Sequence, residues 1–77
     1  MTGWSPIDAI AMERRHVLGG EKIVARQEAL VSDLRERGRD QRARLATELL
    51  DTLRECLELS RERLLDLERR YGKALDH

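Results

Sequence analysis

The chain is short of nearly every residue that staples or interrupts a small fold. Cys56 is its one cysteine, so no internal disulfide can form, and a lone thiol fits a reducing compartment. Pro6 is its one proline, and no proline or glycine falls between Gly38 and Gly72. Such a stretch has nothing to break a helix. Phenylalanine is absent and the aromatics are Trp4 and Tyr71, which leaves little for stacking on nucleic-acid bases. Net charge is also missing, since 15 basic residues balance 15 acidic ones, and this argues against a surface built throughout for polyanions. No apolar run approaches the ~20 residues of a membrane span. The opening MTGWSPIDAIAMERR lacks the basic and then apolar regions of a signal peptide. A cytoplasmic protein is expected.

What is present is leucine, arginine, glutamate and alanine, with 39% of residues charged, the composition of long amphipathic helices. A first helix is expected over about 6–37. Ser5 is placed to cap it, Pro6 suits its first position, and Asp8 suits the positive end of its dipole. Its apolar period runs through Ile10, Val17, Ile23, Val24, Leu30, Val31 and Leu34. Gly38 can take the left-handed position that ends a helix, and Asp40 can cap the next. A second helix is expected over about 41–75, with a heptad seam of Ala46, Leu50, Leu53, Leu57, Ser60, Leu64, Leu67, Tyr71 and Ala74.

Two long helices joined by two or three residues (38–40) must fold back on each other, so the expected fold is all-α: one antiparallel hairpin domain over 1–77, with 1–5 as a tail. Facing residues should then have numbers summing to about 77. On that basis Gln27 faces Leu50, Ile23 faces Leu53, Gly20 faces Leu57, His16 faces Ser60 and Glu13 faces Leu64. Val17, Val24 and Val31 flank this seam, as do Leu45, Leu49, Cys56 and Leu59. So broad an apolar surface marks a partner face, and a homodimer closing into a four-helix bundle is the simplest way to cover it. The expected interface or core set is Val17, Gly20, Val24, Gln27, Val31, Leu49 and Cys56.

Three features invite a chemical reading. Glu13 and His16 form an E-x-x-H pair, the spacing of carboxylate-bridged metal bundles, but the facing residues supply no carboxylates. The favoured reading is a polar layer of His16 and Ser60, with a metal at Glu13 and His16 as the alternative and no cofactor required. Gly19 and Gly20 cost about 1 kcal/mol each in a helix interior, which suggests close backbone approach at Gly20. Gln27 suits a register-fixing amide. At the turn stand Arg35, Arg37, Arg39, Arg42 and Arg44, a candidate contact for an anion or an acidic partner. The solvated tip is the simpler reading. Helix 2 from Glu48 to Glu68 carries an acidic outer face. No nucleophile stands beside a base, so an enzyme is not expected.

From Arg15 to about Leu64, His16, Gly20-Glu21, Ala25-Arg26-Gln27, Gly38 with Asp40, and Leu49-Leu50 resemble a family of short bacterial helical-hairpin proteins of unknown function. The resemblance implies a hairpin and ties His16, Gly20 and Gln27 together as a set. It implies no activity. The expected function is a non-enzymatic interaction or regulatory module that binds itself and another protein. A nucleic-acid-binding hairpin dimer using the turn arginines stands second.

Overall fold

The computed structural model describes residues 3–72. Two helices, α1 (Pro6–Glu36) and α2 (Asp40–Tyr71), fold back on each other as an antiparallel hairpin measuring 54 × 26 × 14 Å. Its thickness is close to the ~10–12 Å diameter of a single helix, so the molecule is one helix layer deep.

The local signals act where they stand. The Ser5 hydroxyl accepts from the Asp8 backbone N–H at 3.4 Å, and Pro6 opens α1. Gly38 takes φ 71°, and the Arg39 N–H behind it donates to the Leu34 carbonyl, so the αL residue turns the chain and satisfies an orphan carbonyl at once. One boundary shifts. Asp40 is the first residue of α2, not its cap; Arg39 holds the cap position and makes no side-chain cap bond. Asp40 still places its carboxylate on the positive end of the α2 dipole. The second helix ends at Tyr71, and the expected last positions, Ala74 among them, lie outside the described residues.

The core runs along a single seam. On α1 it comprises Ile10, Glu13, Val17, Val24 and Val31, with Gly20, Gln27 and Leu34 half-buried between them. These alternate at spacings of three and four, the pattern that keeps one stripe toward a partner helix. On α2 the buried positions are Ala43, Ala46, Leu50 and Leu57, with Leu53, Ser60, Leu64 and Leu67 half-buried in the same stripe. The register is fixed by contact at Gly20, where an added Cβ would lie 3.0 Å from Leu57 Cδ1. At the open end Trp4 meets Tyr71 edge to face, with ring centroids 5.1 Å apart. Between them these rings cap the seam.

The structure corrects the phase of α1. Val17, Val24 and Val31 are not flanking residues; they are the core itself, while Ile23 and Leu30 are half exposed beside it. The reason is geometric. Ile23 and Val24 are neighbours in an apolar arc wider than one seam, and the 100° step between them decides which is buried.

Candidate functional site: the two flanks of the hairpin

The two sides of the seam have different chemistry. On one side, three successive heptads each carry an ion pair across the helices. Arg14 Nη2 donates to Glu68 Oε2 at 2.9 Å, Arg61 Nη2 to Glu21 Oε2 at 3.1 Å, and Arg54 Nη2 to Glu28 Oε2 at 2.7 Å. Each step of one heptad up α1 is matched by one heptad down α2, so the three pairs form a ladder. Arg54 and Arg61 also lie 3.9 and 3.7 Å from Asp51 and Glu58 on their own helix. Charge lines the middle of this flank.

The other flank carries no such ladder. Ile23 and Leu30 on α1 and Leu49 and Cys56 on α2 occupy the corresponding flanking positions, and all four are exposed. Met12, Leu45 and Leu59 extend the strip outward on the same side, as helical periodicity requires. A shallow groove of about 130 Å³ runs along it, bordered by His16, Gly20, Ile23, Leu53, Cys56 and Ser60. That volume is below the ~300 Å³ at which small-molecule sites begin.

The expected site residues divide accordingly. Val17, Val24 and Val31 lie in the intramolecular core, and Leu49 and Cys56 on the apolar flank. Gly20 is where the two helices approach closely, whereas an added Cβ at Gly19 would meet nothing within 4 Å. Gln27 Nε2 donates to the Ala46 carbonyl at 2.9 Å, a cross-helix bond that ties the register one turn away from Leu50, the residue expected to face it. His16 and Ser60, expected as a polar layer, both border the groove, with no hydrogen bond between them. The His16 side chain is 60% exposed, because its neighbour Val17 takes the core position on α1.

Glu13 is the unexpected member of the core. It is 6% exposed, and its Oε1 has no hydrogen-bond partner. The Arg63 guanidinium stands near it, Nη1 at 3.7 Å, and the His16 ring lies alongside, Nδ1 at 3.8 Å. As a metal centre the pair is poorly furnished. Among the described residues no group of three or more His, Cys, Asp or Glu side chains comes together, and the Arg63 guanidinium opposes a bound cation.

At the tip, Arg37 pairs with Asp33 at 3.1 Å. Arg35, Arg39, Arg42 and Arg44 are exposed and have no carboxylate within 4 Å among the described residues. No helix among the described residues is long and apolar enough to cross a membrane. Compared with protein-family models, with curated proteins and with solved structures, the chain matches none. Of the resemblance drawn from its motifs, the hairpin architecture is what stands.

Proposed function

We propose that the protein is a non-enzymatic interaction module that works as a self-associated helical bundle, with the apolar flank as its binding face. The observation that carries this reading is the asymmetry of the hairpin. One flank carries three cross-helix ion pairs, while the other leaves Ile23, Leu30, Leu49 and Cys56 in solvent. A contiguous apolar strip at helical spacing is the kind of surface that a second pair of helices buries. Binding of a further protein, or its regulation, would then use the remaining helix faces or the arginine tip.

Light scattering at micromolar concentration tests the reading. The unaltered protein is expected to give a dimeric or larger mass, and the double variant Ile23→Glu with Leu49→Glu a monomeric one with its helical circular dichroism retained. A monomeric mass for the unaltered protein overturns it.

The four arginines without carboxylate partners at the tip support a second reading, a hairpin dimer that holds nucleic-acid phosphates. Such binding would weaken steeply between low and moderate salt, and its absence in a mobility assay at low salt ends that alternative.

A further inference from the structure

The self-association proposed above admits two symmetric arrangements on the apolar flank. A two-fold axis along the helices sets α1 of each copy beside α2 of the other, with both tips at one end. An axis across the helices sets α1 beside α1 and α2 beside α2, with the tips at opposite ends. Both bury the same strip. The charges just outside the strip distinguish them.

On α1, Arg15 and Lys22 stand midway between successive seam residues, on the row facing away from α2, with Arg26 nearby. On α2 the equivalent row is Glu48, Glu55 and Glu62. All six are exposed, and none has an ion-pair partner among the described residues. The cross-helix ladder pairs Arg14, Glu21 and Glu28 with Glu68, Arg61 and Arg54 and leaves these outer residues open, cationic at Arg15 and Lys22 and anionic at Glu48, Glu55 and Glu62. When two hairpins meet on the apolar flank, their outer rows become the flanking rows of the new seam, the place where charges choose partner and orientation.

From these rows we infer that the occupant of the apolar flank is a second copy of this chain, lying with its tip at the same end and its α2 beside α1. This inference rests on the self-association reading and adds its direction. The register is already set by Gly20 against Leu57. At that same level relation, Arg15 lies beside Glu62 of the second copy and Lys22 beside Glu55, and the two-fold repeats both pairs. In the opposite arrangement Lys22 meets Lys22 and the acidic row meets itself, which repels.

Two measurements decide it. In the first, Arg39→Cys in a Cys56→Ser background carries a nitroxide at each tip of the assembled protein. Tips at one end give an inter-label distance within about 30 Å, set by helix spacings of ~8–10 Å and the label linkers. Tips at opposite ends lie beyond about 45 Å, the length of α1. A dimeric mass with only the long distance overturns this inference and leaves self-association standing; a monomeric mass overturns both.

In the second, Arg15→Glu with Lys22→Glu is expected to raise the dimer dissociation constant on the order of tenfold or more, since attraction becomes repulsion at every outer pair. Adding Glu55→Lys and Glu62→Lys to the same chain restores the affinity. In the opposite arrangement the first variant merely exchanges one repulsion for another, so an unchanged dissociation constant counts against the inference. Helical circular dichroism of each variant separates lost affinity from lost folding.

Discussion

At the scale of single residues, Glu13 works against the fold. Its carboxylate lies in the seam with Oε1 unbonded, and Arg63 and His16 stand just beyond hydrogen-bond reach. Removing a carboxylate from water is costly, and an imperfect pairing does not recover that cost. The favourable contributions lie one and two heptad steps away. Gly20 lets Leu57 close onto α1, and Gln27 adds a cross-helix bond that only one register satisfies. Glu13→Leu is therefore expected to raise the free energy of unfolding by about 1–3 kcal/mol, read from urea denaturation at fixed protein concentration. A loss of stability instead would mean that the contact with Arg63 outweighs the buried charge.

At the scale of elements, the ladder of Arg14–Glu68, Glu21–Arg61 and Glu28–Arg54 acts on pairing more than on stability. Each pair is about half exposed, and such pairs contribute roughly 0.2–1 kcal/mol. Their value is in excluding other registers, because a shift of one heptad sets Glu21 against Arg54 and leaves the ends unpaired. Glu28→Arg should lower the thermal midpoint, and adding Arg54→Glu should restore most of the loss, with the difference shrinking as salt is raised. The same ladder explains what was legible in the sequence. Helices, turn and antiparallel register could be read, because Ser5, Pro6, Gly38 and the α2 heptad are local signals. The phase of α1 could not be read from hydrophobicity, since Ile23 and Val24, or Leu30 and Val31, fit an apolar seam equally well. Arg14, Glu21 and Glu28 oppose Glu68, Arg61 and Arg54 at matched heptad spacing, and that complementarity marks the seam one position away from where the apolar residues alone put it. The apolar flank was visible as excess hydrophobicity. Its membership changed with the phase: the valines moved into the core, and Ile23 and Leu30 moved out to join Leu49 and Cys56.

At the scale of the whole molecule, a hairpin one helix deep has a single seam, and among the described residues eight apolar side chains are buried, two of them alanine. A lone core in a chain of this size supplies only ~3–5 kcal/mol. Met12, Ile23, Leu30, Leu45, Leu49 and Leu59 are each at least 45% exposed, so much apolar area that could stabilise the chain is still in water. If a second copy covers it, folding and association are linked, and stability depends on protein concentration. Each tenfold increase in concentration then adds about 1.4 kcal/mol per dimer, which corresponds to roughly 3–8 °C in the thermal midpoint. The expected result is a midpoint that climbs steadily from 1 to 100 µM (on the order of two decades) for the unaltered chain. For Ile23→Glu with Leu49→Glu the midpoint should be lower and independent of concentration. A flat midpoint in the unaltered chain would show that the single seam suffices, and that the apolar flank waits for a partner other than this chain.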